Sequence, residues 1–147
     1  MKETNPSYRF VAWSSPEALH SESLGWVSEM EFSKDEQVFL TTLMKDHILE
    51  LLSDKLRDES QEVLRELNSE KERVVRLLQR IAKHGNALQI LVDGVDQLEE
   101  EAVYKKDHYQ LKMEVDRYFE DYRKTKRTIF RMIKQIIRNK KRKKISK

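Results

Sequence analysis

Cysteine is absent from this 147-residue chain, which excludes disulfides, thiolate zinc sites and thiol catalysis. Glycine occurs three times and proline twice. Sheet-rich and doubly wound folds need turns more often than so few breakers provide, so the scarcity favours long helices. No apolar run approaches the roughly 20 residues of a membrane span. The first 15 residues lack a basic stretch followed by an apolar one, so the sequence is read without a signal peptide and a soluble, cytoplasmic protein is expected. There is no His-Glu-x-x-His pair and no Gly-rich phosphate loop. The four histidines, His20, His47, His84 and His108, are scattered one per region, and nothing orders the serines and aspartates into a triad.

What the sequence has is charge, at 37% of residues, and an apolar fraction of 38%. The charge is unevenly placed. All 26 acidic residues lie at or before Asp121, with 16 basic ones, a net −10; the last 26 residues hold 13 basic residues and no acid. An acidic body with a basic end either meets an anionic partner or folds its tail back on itself.

Residues 1–15 read as a flexible arm whose Phe10 and Trp13 are available to pack on the body. Ser15-Pro16-Glu17 reads as a helix start, with an N-cap oxygen, a first-turn proline and a dipole-matched acid. Leu19, Trp26, Met30, Leu40, Met44 and Leu51 then recur at helical spacing, with Ser23, Ser33, Gln37 and His47 in between and Phe32, Val38, Phe39 and Leu43 widening the stripe. His47, on this face, is expected to hydrogen-bond a neighbour. A polar stretch over 53–61 marks the first turn. Val63, Leu67, Val74, Leu77, Leu78 and Ile81 carry a second stripe, which resumes in phase with Leu88, Leu91, Val95 and Leu98. His84-Gly85-Asn86 resembles a C-cap, but the continuing phase and the length of the first helix favour passing through it. Tyr104, His108, Leu111, Val115, Tyr118, Tyr122, Ile129, Met132 and Ile136 form the third stripe. The reading is an all-α, three-helix antiparallel up-down-up bundle with long coiled-coil-like helices over 16–53, 60–98 and 103–138, followed by a disordered basic tail over 139–147.

Candidate chemistry is sparse. Glu22, Glu29 and Glu36 recur every seven residues on one side of the first helix, within reach of His108. That pattern allows a carboxylate–histidine metal site, a solvated acidic edge beside Trp26, or an ion-pair network with the third helix. Tyr104, Tyr109, Tyr118, Phe119 and Tyr122 read as core and core-edge packing with hydroxyls reaching water, rather than a base-stacking platform. The strongest lead is the basic end: Arg123, Lys124, Lys126, Arg127, Arg131, Lys134, Arg138, Lys140, Lys141, Arg142, Lys143 and Lys144, interleaved with Ile129, Phe130, Met132, Ile133, Ile136 and Ile137. These cations can pair with Glu50, Asp54, Asp58, Glu59 and Glu62 at the first turn, or meet nucleic acid phosphates, an anionic membrane surface or an acidic protein.

Leu19, Glu22, Trp26, Glu29, Phe32 and Glu36 resemble the first helix of an uncharacterised family of small bacterial helical proteins, which reads Leu-x-x-Glu-His-x-x-Trp-x-x-Glu-Leu-x-Phe-x-x-Asp-Glu. Ser23 stands where that family has His, and Met30 where it has Leu. Asp107-His108 followed by Leu111, Glu114 and Val115 is similar to its last helix. The resemblance covers about three quarters of the chain. It implies three helices and a bacterial cytosol, with no assigned activity.

The function expected is that of a non-enzymatic helical interaction or scaffold protein, without cofactor or metal, partnered by another protein or by itself through its helical faces. The alternatives are an adaptor that binds an anionic membrane or nucleic acid through the basic C-terminal helix, and a carboxylate–histidine metal-binding bundle.

Overall fold

The computed structural model describes residues 6–53, 55–93 and 98–146. The described residues form five helices and no strand: α1 (Pro6–Trp13), α2 (Pro16–Asp46), α3 (Ile48–Leu51), α4 (Arg57–Asp93) and α5 (Leu98–Ser146). None of them is long and apolar enough to cross a membrane.

α1 occupies part of the segment expected as an arm. A two-turn helix turns one side inward, and here that side carries Tyr8, Val11 and Ala12. Val11 is therefore the buried residue; of the two rings available to pack on the body, Phe10 is half-buried with Lys112 Nζ 4.9 Å from its ring centroid, and Trp13 is 84% exposed.

α2 starts as the sequence indicates. Ser15 Oγ accepts the Ala18 N–H at 3.1 Å, and the Ser15 carbonyl accepts the Leu19 N–H at 3.0 Å. The helix stops at Asp46 rather than continuing to 53. Thr41 and Thr42 bond back to the carbonyls of Gln37 and Val38, a pattern that bends helices. At His47 (φ −117°, ψ 23°) the N–H turns to the Met44 carbonyl, an i−3 bond, and the single turn of α3 follows. The next turn is closed by the Ser53 carbonyl, which accepts the N–H groups of Leu56 and Arg57 and starts α4 three residues before the expected position.

α4 passes straight through His84-Gly85-Asn86 and is described as far as Asp93; residues 94–97, which the expected helix over 60–98 includes, lie outside the described residues. A Cβ at Gly85 would lie 3.5 Å from His20 Cε1, an ordinary contact, so α2 comes close to α4 here. α5 begins at Leu98 rather than 103. Leu98, expected on the second seam, is instead 77% exposed at the start of α5, and Val95 lies outside the described residues. At the other end α5 runs past the expected stop at 138 to Ser146, so residues 139–146, expected as a disordered tail, are helical. Lysine and arginine are good helix formers, and cations in the last turns match the dipole.

By contacts the chain divides into two compact units: residues up to Phe32 with Val74–Arg117, and Ser33–Arg73 with residues from Tyr118 on. In the first, Leu19, Met30, Val74, Ile81, Leu111 and Val115 are buried, and α1 adds Val11 to a cluster with Leu19, Leu88 and Tyr104. In the second, Leu40, Met44, Leu51, Leu67, Ile129 and Met132 are buried. Phe32, Val38 and Phe39 do not widen the core stripe: each is more than half exposed. At 100° per residue they fall about 120–140° around α2 from the centre of the face formed by Met30, Ser33, Gln37 and Leu40.

Candidate functional site

In the second unit, helical periodicity sorts the basic end of α5. Ile129, Met132, Ile133 and Ile136 are buried, which leaves the cations outward. Four of the predicted set have acidic partners. Lys126 Nζ donates to Glu36 Oε1 at 3.0 Å, Arg131 pairs with Glu59, Lys140 lies 2.7 Å from Glu50, and Lys124 lies 3.7 Å from Glu120 one turn away. The hydrogen bond from Lys140, with one from the residue's own backbone, holds the Glu50 carboxyl below the usual carboxylate range. Two of the acids expected to receive the tail, Glu50 and Glu59, do so. Asp58 and Glu62 form no ion pair with it among the described residues, and Asp54 lies outside them.

The remaining cations stay in solvent. Arg123, Arg127, Lys134, Arg138, Lys141, Lys143 and Lys144 are exposed, with no ion pair among the described residues; Arg142 is exposed as well. Arg127, Phe130, Arg131, Lys134, Arg138 and Arg142 line an open groove of about 550 Å³. From Ile137 to Ile145 every side chain is exposed. By sequence the second unit holds 20 Lys and Arg against 13 Asp and Glu, a net +7, whereas the first holds 9 against 13, a net −4.

The first unit carries a polar chain around two buried histidines; the sequence places Glu22 within reach of His108 but gives no sign that His84 joins them. His84 Nε2 and His108 Nδ1 are 3.0 Å apart, His108 Nε2 is 2.6 Å from Glu22 Oε1, and Lys112 bonds the other Glu22 oxygen. Trp26 stacks on His108 at 4.7 Å between ring centroids, and Tyr104 on His84 at 4.1 Å. Burial pushes His84 down to about 4 and lowers His108 as well; Glu22 works against the shift at His108. Both rings are therefore neutral at pH 7. The sequence carries only the spacings Ile81-x-x-His84-x-x-x-Leu88 and Tyr104-x-x-x-His108-x-x-Leu111, which put the two imidazoles on core-facing positions.

Of the residues in the metal pattern, only Glu22 and His108 come together, and their direct hydrogen bond leaves no room for an ion between them. Glu29 is exposed, and Glu36 bonds to Lys126 and Tyr122 in the second unit. Among the described residues no three His, Asp or Glu side chains are arranged to hold a metal ion. Glu22 and Glu36 instead anchor ion pairs with α5, the third of the readings weighed for that edge.

Tyr104, Tyr118 and Tyr122 are core residues, and the hydroxyls of Tyr118 and Tyr122 find protein rather than water. In the second unit Tyr118 OH accepts from Gln37 Nε2 at 2.8 Å and lies 2.8 Å from Ser33 Oγ; Tyr122 OH donates to Glu36. In the first unit the Tyr104 hydroxyl is buried without a partner. Burial pushes Tyr104 and Tyr118 up to about 12. His47 differs from expectation too, since its Nδ1 is buried with no hydrogen-bond partner.

Two further recesses offer polar groups. In the first unit a cleft of about 810 Å³ between α1, α4 and α5 is lined by Tyr8, Tyr109 and Met113, with Lys105 donating to the Ala12 carbonyl at 2.9 Å and Arg80 paired to Glu114 at 2.5 Å. In the second, Glu70 is buried beside Arg73 and Asp121, which bond to each other at 2.9 Å. Glu70 Oε2 accepts from Thr125 at 2.8 Å, but Oε1 has no partner, and burial pushes the carboxyl up to about 7. The chain matches no protein-family model, no curated protein and no solved structure.

Proposed function

We propose that this chain is a non-catalytic helical interaction protein that presents the outer face of α5 to an acidic partner. The observation that carries this reading is the set of seven exposed cations between Arg123 and Lys144 that have no acidic partner among the described residues, in a unit of net charge +7. Five of them, Arg123, Arg127, Lys134, Arg138 and Lys141, fall within about 60° of arc on α5, where unneutralised like charges repel each other, and an anionic surface relieves that repulsion. In this reading the three long helices run up-down-up, the protein works in the cytoplasm, and the likeness of Leu19–Glu36 to a bacterial family without assigned activity is in keeping.

The test is binding of the full chain to three polyanions of different chemistry: anionic lipid vesicles, duplex DNA and an acidic peptide. At least one is expected to bind, to weaken steeply between about 0.1 M and about 0.5 M salt, and to be lost when Arg127, Lys134, Arg138 and Lys141 are all changed to Glu. No binding to any of the three at low salt overturns the reading. Self-association is a second reading, supported by the exposed Leu24 and Phe32 in the first unit and Val38 and Phe39 in the second. A single monomeric species in sedimentation velocity at high concentration removes it.

A further inference from the structure

The anionic partner of α5 is, we infer, a lipid membrane surface, on which the helix lies lengthwise with Phe130, Ile137 and Ile145 turned into the interface; this rests on the reading just given. The three side chains are 38%, 45% and 84% exposed. They are spaced seven and eight residues apart, close to two turns each, so at 100° per residue they fall within about 80° of arc. Arg127, Lys134, Arg138 and Lys141 fall on or within about 20° of that arc. The strip they form, from Arg127 to Ile145, is about 27 Å long at 1.5 Å per residue.

The choice between lipid and nucleic acid turns on the apolar residues. Phosphates along a nucleic acid take the cations but give Phe130, Ile137 and Ile145 no burial. A bilayer interface takes both, because anionic headgroups meet the lysines and arginines while the apolar side chains enter the acyl boundary. The opposite side of α5 is held by the core of the second unit through Ile129, Met132 and Ile136, so the helix stands formed before it meets the surface and pays no folding penalty there. Beyond Ile136 every side chain as far as Ile145 is exposed, which leaves the end of the helix clear to approach a flat surface. Unit 2 is also the unit with the positive net charge.

The experiment uses the full-length protein and the double variant Ile137→Ser/Ile145→Ser, which touches only exposed positions and keeps every cation. Each is sedimented with phosphatidylcholine vesicles, with and without phosphatidylserine, and each is titrated with duplex DNA; circular dichroism verifies that the variant stays helical. The expected result is binding to phosphatidylserine vesicles, little to phosphatidylcholine alone, and a loss of roughly tenfold or more in vesicle affinity in the variant with DNA affinity unchanged. An Ile145→Trp variant should show added emission that brominated lipids quench, since the native tryptophans, Trp13 and Trp26, lie outside α5. DNA binding without vesicle binding overturns the lipid inference and leaves the acidic-partner reading standing. Vesicle binding that is equal in both proteins, with no quenching, also overturns it, because attraction by charge alone then accounts for the result. Absence of binding to vesicles, DNA and the acidic peptide overturns both.

Discussion

Glu70 is the residue whose environment fits its chemistry least. It is 4% exposed, one oxygen is bonded to Thr125, the other has no partner, and its pKa is raised to about 7. A carboxyl whose folded pKa lies above its unfolded value contributes stability that is fully present below about 4.5 and is lost as pH rises through about 7. Glu70→Gln keeps the shape and the Thr125 bond and removes the charge. It is expected to stabilise the protein by about 1–3 kcal/mol at pH 8 and to have little effect at pH 4.5, as read from urea unfolding at the two pH values. His84 and His108 have the opposite sign. Both are lowered, so the stability of their neutral, stacked arrangement is present above about 6.5 and is lost as pH falls. The sequence showed where these imidazoles sit along their helices but not that they meet, because His84 and His108 are 24 residues apart and their contact exists only once α4 and α5 are packed.

At the scale of the element, α4 and α5 were easier to read than α2. The apolar positions of α4 and α5 recur on one side, so the pattern gives both the helix and its inward face. α2 is apolar on two sides, with Met30 and Leu40 inward and Phe32 and Phe39 outward, and periodicity alone cannot rank two stripes on one helix. Its break at His47 was equally hidden. No proline or glycine marks it, and the i−3 bond from His47 to Met44 is a backbone event that no residue type announces. In α4 the glycine of His84-Gly85-Asn86 looked like a terminator but sits in helical conformation against His20. Because a Cβ would make only an ordinary contact there, Gly85→Ala is expected to raise stability by about 1 kcal/mol, visible as an increase in Tm with unchanged helical content. A fall in Tm would mean that His20 cannot give way.

For the molecule as a whole, the pH dependences of the buried groups combine. Between about 4.5 and about 6.5 the two histidines favour release of the fold as pH falls, and Glu70 alone opposes them. His84, lowered to about 4, and Glu70, raised to about 7, nearly offset each other across this window, and the lowered His108 tips the balance, so stability should rise with pH here and then level off or fall slightly towards pH 8. Chemical denaturation at intervals from pH 4.5 to 8 measures this, and His84→Phe should flatten the rise. The amino-acid sequence by itself determined that the chain is all-α, where two of its long helices turn their apolar faces, and that its cations collect at one end, since helix propensity, periodicity and charge are local properties carried by neighbours in the chain. Only the tertiary structure decided which cations are neutralised: Lys126, Arg131 and Lys140 find Glu36, Glu59 and Glu50 from 72 to 90 residues away, and Arg127, Lys134, Arg138 and Lys141 do not. The same holds for the Glu22–His108–His84 chain, because pairing and burial are relations between distant segments and come into being when those segments pack.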